Sequence, residues 1–147
     1  MATSILQVAK TLGELSGYGL SNLELQKVSY IAEMLHLGRY HVPLIREDWE
    51  AWDYGPVCPE LYQWAKMYGT KPVGNLFPKL PALTEGDEYK SVLDAYEMTR
   101  KFTPGQLINA THQHDGAWAQ HYDSRRRGAV IPKEAIAREY NVRITED

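Results

Sequence analysis

The stretch SNLELQKVSYIAEMLHLG, residues 21–38, decides the fold. Ser21 and Glu24 stand at capping-box spacing, which satisfies two orphan amides at the start of a helix. The helix so begun is expected to run to Leu37 or Gly38. Projected at about 100° per residue, Gln26, Ser29, Glu33 and His36 share one narrow polar arc. Leu23, Leu25, Val28, Tyr30, Ile31, Ala32, Met34 and Leu35 cover the remainder. A helix apolar over most of its circumference is touched by neighbours on most sides, so this one is central. Lys27 interrupts the apolar arc. Its stem must lie along the core and its ammonium must find a partner, because an unpaired buried charge is costly. Asp53 and the carbonyls of Gly55, Pro56 and Val57 are the candidates.

Working outward, the punctuation predicts helices on both sides. Ile5, Val8, Ala9 and Leu12 recur at i, i+3, i+4 and i+7 ahead of Gly17, a left-handed stop. Pro59 opens a third helix whose Leu61, Trp64, Ala65 and Tyr68 share a face before Gly69, and a Pro- and Gly-rich connector continues to Pro81. Tyr89, Val92, Leu93 and Tyr96 mark a fourth helix ending near Phe102. TPGQ, residues 103–106, opens a fifth with a Thr cap and proline at the first helical position. Pro132 starts a short sixth, and the polar tail after Asn141 is expected to fray. Between Val42 and Tyr54, Trp49, Ala51 and Asp53 alternate with Glu50, Trp52 and Tyr54, so at most a small β-ribbon belongs there. The fold class read from this pattern is mainly α: a single compact helical domain of about six helices, with its core over about residues 4–140 and a polar tail over 141–147.

Composition bounds the function. The 147 residues fit one domain, and 44% hydrophobic with 24% charged residues describes a globular chain. A net charge of -3 gives no electrostatic reason to favour nucleic acid or an anionic membrane. One cysteine, Cys58, precludes an internal disulfide framework and suits a reducing compartment. With no signal-like leader and no apolar run of membrane-spanning length, a cytoplasmic protein is expected.

Motifs in four places then fall in order: Leu25, Gln26, Lys27 and Tyr30; Trp52, Tyr54, Gly55, Pro56 and Val57; Tyr62; and Thr111, His112 and Trp118. Together they resemble the Panacea domain of SocA-like antitoxins and of phage- and prophage-associated proteins. The resemblance implies a mainly helical domain that binds other proteins, the partner being a cognate toxin neutralised by direct contact. It also implies that some members act as proteolytic adapters delivering the toxin to ClpXP. It carries no catalytic residue and no cofactor, so no enzyme is expected.

The residues leave other readings open. Gly55 and Pro56 make the AWDYGPV segment a rigid turn, and the flanking Trp52 and Tyr54 either pack on the core or present a binding surface. Trp49, Trp52, Arg125, Arg126 and Arg127 are candidate partner contacts. The polar arc of the central helix is a further candidate surface. SRRR, residues 124–127, is a short basic run that could touch phosphate, which would make the chain a DNA-binding regulator, although a short charge run is more often a solvated loop. His112 and His114, with His121 and Asp115, are residue types that ligate zinc, nickel or iron and would suit a metal-dependent hydrolase. The chain lacks a second distant ligand cluster, so no metal is expected. Alternatively His112 ends the fifth helix and Trp118 packs into the core. Cys58 precedes a helix, where a dipole can activate a thiol, but it reads better as a small buried residue.

Overall fold

A computed structural model describes residues 2–126 and 128–145. Among the described residues there are seven α-helices and one three-stranded antiparallel sheet. Helix α1 (Ile5–Ser16) starts at Ser4, whose hydroxyl accepts from the Gln7 amide, and stops at Gly17 with φ 64°. Helix α2 (Asn22–Tyr40) begins with the Ser21–Glu24 capping box formed in both directions. It continues past the expected stop to a left-handed cap at His41, φ 63°. Gly38 stays helical for a packing reason: a Cβ there would lie 2.0 Å from ring carbons of Tyr140, so this glycine admits an aromatic ring against the helix backbone.

The expected ribbon is present and has a third member. Strand β1 (Trp49–Trp52) pairs with β2 (Gly55–Val57) on one side and β3 (Ala129–Ile131) on the other, in the order β2-β1-β3. The alternation is real, with Trp49 and Ala51 buried and Glu50 and Trp52 half-buried. The turn itself falls on Asp53 and Tyr54, because Trp52 pairs with Gly55, and the Gly-Pro-Val segment is a strand. After β2 come α3 (Pro59–Ala65), a 3-10 turn (Lys66–Tyr68) and α4 (Gly86–Thr99). Helix α5 (Pro104–Thr111) carries the Thr103–Gln106 capping box. A short α6 (Ala117–His121), absent from the sequence reading, follows, and α7 (Lys133–Thr145) is the final element among the described residues. Helix α7 carries helical backbone past Asn141 to Thr145, into the tail expected to fray, whose residues 146 and 147 lie outside the described residues.

Every residue of α2 from Leu25 to Leu37 is buried, with α1, α4, α5, α7 and β2 packed around it. The burial includes the polar arc, which corrects its reading as a candidate surface. Each polar group but one spans to another segment. Gln26 reaches the Cys58 backbone, and His36 Nδ1 lies 2.9 Å from Ser91 Oγ on α4. Ser29 Oγ is buried without a hydrogen-bond partner. Glu33, 0% exposed, accepts from the Leu44 amide, from Trp49 Nε1 and from Lys133 Nζ, joining the loop after α2, strand β1 and the start of α7. Glu139 on α7 acts similarly, accepting from Tyr30 Oη at 2.8 Å and from the Ala117 amide at 3.0 Å. Burial and the adjacent Glu139 hold the Tyr30 hydroxyl well above the usual tyrosine range.

Removing one partner of a buried ion pair strands the other and costs about 3–5 kcal/mol. Glu33→Ala is therefore expected to lower unfolding free energy by about that amount in urea titration, and a loss under about 1 kcal/mol would show that the carboxylate is not structural.

Candidate functional site

Gln26, Lys27, Trp52, Tyr54, Val57 and Tyr62, motif residues far apart in sequence, converge where the N-terminal half of α2 meets the β1–β2 hairpin, whereas Leu25 lines a separate cavity and Tyr30 turns to Glu139 and Trp49. Strand β2 is a sheet edge, and α2 side chains occupy it. The Gln26 amide donates to the Cys58 carbonyl at 3.3 Å and accepts from the Cys58 amide at 2.8 Å, so it bonds the chain just beyond β2 as a neighbouring strand would. One residue on, Lys27 Nζ donates to the Pro56 carbonyl at 3.1 Å. Of the two partners expected for Lys27, the carbonyl is found.

Gly55 lies against this amine with φ 116°, a conformation L side chains rarely adopt. A Cβ there would sit 3.0 Å from Lys27 Cε and Nζ and 3.1 Å from His112 Nε2. Lys27 is 1% exposed, and burial lowers its pKa from 10.5 to about 7. Burial also lowers the His112 imidazole below its ordinary value, with Lys27 adding to the effect and the Tyr54 backbone opposing it. His112 Nε2 is buried without a hydrogen-bond partner.

Behind the hairpin stands a column of rings. His112 stacks on Trp118 at 3.8 Å between centroids, and Trp118 on Tyr122 at 4.7 Å. Trp118 Nε1 donates to the Trp52 carbonyl at 2.7 Å, and Tyr122 Oη donates to Asp53 Oδ1 at 2.6 Å, which fixes the turn. In front lies an open groove of about 370 Å³, bordered by Asn22, Leu23, Gln26 and Lys27 of α2, by Trp52, Asp53, Tyr54 and Val57 of the hairpin, by Tyr62 of α3, and by Gly69 and Thr70. Trp52 and Tyr62 meet edge-on at 4.9 Å, and Tyr54 is 71% exposed. Asn22, Leu23, Gly69 and Thr70 belong to no motif in the sequence, and only the fold brings them here.

Several expected contacts are placed elsewhere. Trp49 is not a surface anchor: it is 0% exposed, edge-on to Tyr30 at 5.3 Å and bonded to Glu33, because the inward face of β1 is the core face. Arg125 and Arg126 are exposed on the loop before β3, with Arg125 beside Asp123 at 3.5 Å; Arg127 lies outside the described residues. His112 caps α5 through its backbone amide, yet its ring stacks on Trp118 instead of meeting helix carbonyls. His121 Nδ1 is 2.8 Å from the Ala117 carbonyl and His114 is exposed, so among the described residues these imidazoles and Asp115 do not gather into a metal-ligand group. Cys58 is 0% exposed, and burial pushes its thiol up to about 12, the opposite of an activated nucleophile.

The groove's lining from Gln26 to Thr70 lies within the span matched by one family model. The Antitoxin SocA-like, Panacea domain family matches residues 25–119, and the chain belongs to it. Antitoxin SocA of Caulobacter vibrioides (strain NA1000 / CB15N) is 28% identical over 109 residues, covering 67% of this chain and 58% of that protein. The matched region thus spans little more than half of the relative's length. No solved structure matches the chain. Among the described residues, no helix is long and apolar enough to cross a membrane.

Two outcomes follow from the packing around Lys27. Gly55→Ala forces a strained backbone and crowds the amine, and is expected to cost about 1–3 kcal/mol in denaturant unfolding; an unchanged midpoint would contradict the geometry. Lys27 is the titration case. Its folded pKa of about 7 lies below its ordinary 10.5, so between those values the unfolded chain holds a proton that the folded chain lacks. Stability from this group therefore rises with pH through that window, by at most about 1.4 kcal/mol per unit, and the burial penalty is felt in full below it. Lys27→Met is expected to flatten the rise between about pH 7 and pH 9; parallel stability curves for the two proteins would refute it.

Proposed function

We propose that the chain is a non-catalytic antitoxin that neutralises a cognate toxin by direct protein contact, using the hairpin groove as its contact surface. The reading is supported above all by the convergence of family motif residues on one groove. Gln26 and Lys27 of α2, Trp52, Tyr54 and Val57 of the hairpin and Tyr62 of α3 reach it from distant parts of the sequence, with the His112–Trp118 stack behind the hairpin, while Leu25 and Tyr30 face other parts of the core. Aromatic walls with polar tips are the side chains that most often anchor protein interfaces. Trp52 and Tyr54 are the groove anchors, and Arg125 and Arg126 offer a separate charged contact beyond the hairpin. In this reading the stacked His112, Trp118 and Tyr122 keep the hairpin rigid, which lowers the ordering cost of association. A finer possibility within the same function is delivery of the bound toxin to the ClpXP protease in the cytoplasm, with the chain acting as adapter; the buried Cys58 and dispersed histidines lend no support to catalysis.

Co-expression with the adjacent gene tests this. Growth arrest by the neighbour alone, relieved by this chain with recovery of a stable complex, is the expected result. Loss of the neighbour that requires ClpX would identify the adapter. A neighbour that is harmless by itself would remove the antitoxin reading.

A further inference from the structure

Lys27 is spent poorly as a structural residue. The Gln26 amide already makes two bonds to the chain at the end of β2, and Lys27 adds one bond to the Pro56 carbonyl. For that it buries an amine having three donors. The comparison with other lysines is telling. Lys133 pairs with Glu33, and buried Lys10 has Asn75 at 2.8 Å and Glu14 at 4.0 Å. Lys27 forms no ion pair among the described residues. A buried ammonium is either paired or loses its proton, and the place where a counter-charge from outside the chain can reach Lys27 is the groove it helps to line.

We propose that the groove seats an extended segment of the partner protein, with an aspartate or glutamate side chain of that segment pairing with Lys27 Nζ and an adjacent apolar side chain lying against Tyr54 and Tyr62. The inference rests on the antitoxin reading and adds the chemistry of the contact. The groove, at about 370 Å³, falls in the range of about 300–1,000 Å³ usual for specific ligand sites. The titratable groups around the amine are His112 beyond Gly55, Asp53 and Tyr54 of the hairpin, and Tyr62 of α3. Asp53, the acid among the groove's lining residues, is engaged by Tyr122. His112 is held toward its neutral form by burial, which leaves the ammonium as the group that an incoming carboxylate meets.

Pairing with a carboxylate favours the ammonium, so association takes up a proton wherever free Lys27 is neutral. Calorimetric titration of the full chain with the protein encoded beside it, at about pH 6, 7 and 8, is expected to show affinity falling about tenfold across that range. Lys27→Met is expected to bind about thirtyfold or more weakly at the lowest pH and to lose the trend. One Asp→Asn or Glu→Gln change in the partner is expected to reproduce that loss without adding to it in the double variant. Should Lys27→Met fail to fold by circular dichroism, the wild-type pH profile and the partner substitutions decide alone. A flat wild-type profile, a trend that persists in Lys27→Met, or a trend that no single partner acid accounts for would overturn the proposal. Absence of any binding by wild type would instead remove the antitoxin reading and this proposal with it.

Discussion

The fold depends on one carboxylate. Glu33 sits in the middle of α2 with no exposure to solvent, and three donors from three other segments close on it: a loop amide, an indole and an ammonium. A carboxylate taken out of water is stable only when its lone pairs are answered. Here the answering groups fix where the loop after α2 turns, where β1 enters the core and where α7 begins. Glu139 repeats the device from the opposite direction, a charge on α7 holding Tyr30 of α2 and the first amide of α6. The apolar contacts supply most of the driving force for collapse, but they are non-directional. The buried polar groups set which segments meet.

The same logic extends to the hairpin. A two-stranded ribbon is marginal in water by itself, and β2 is only three residues long. It persists because β3 pairs with β1 on one side while Gln26 and Lys27 bond the β2 side of the hairpin. The column from His112 to Tyr122 then locks the turn through the Trp52 carbonyl and Asp53. A rigid aromatic groove thus forms where a sequence of Trp, Asp, Tyr, Gly and Pro would otherwise be a mobile loop.

Much of this was legible in the sequence wherever the cause is local. The capping boxes at Ser21 and Thr103, the stop at Gly17 and the proline at the start of α3 each act within a few residues, and each is found where expected. The central place of α2 followed from its composition, as did the need of Lys27 for a partner. What the sequence concealed depends on partners far along the chain. The arc of Gln26, Glu33 and His36 looks like a solvent face because periodicity reports polarity and not where a hydrogen bond will be found. Trp49 resembles an anchor until Glu33 is placed beside its indole. Gly38 resembles a stop until Tyr140 is laid across it. Helix α6 is too short for its period to register, and β3 is strand only because β1 offers it an edge. The motif positions were found by resemblance, while the groove that six of them line, Gln26, Lys27, Trp52, Tyr54, Val57 and Tyr62, emerged from tertiary structure alone.

The separation between Glu33 and Lys133 has a consequence for how the protein is made. A chain emerging from the ribosome presents α1, α2 and the hairpin long before residue 133 appears, and until then the acid at the heart of α2 has no cation to close on it. The central helix, though locally well specified, therefore completes its surroundings only once Lys133 has been made. Contacts of such sequence separation are the slow ones to form, and an unfinished chain exposes the apolar circumference of α2 to whatever is nearby. A chain lacking α7 would leave the Glu33 carboxylate without its ammonium.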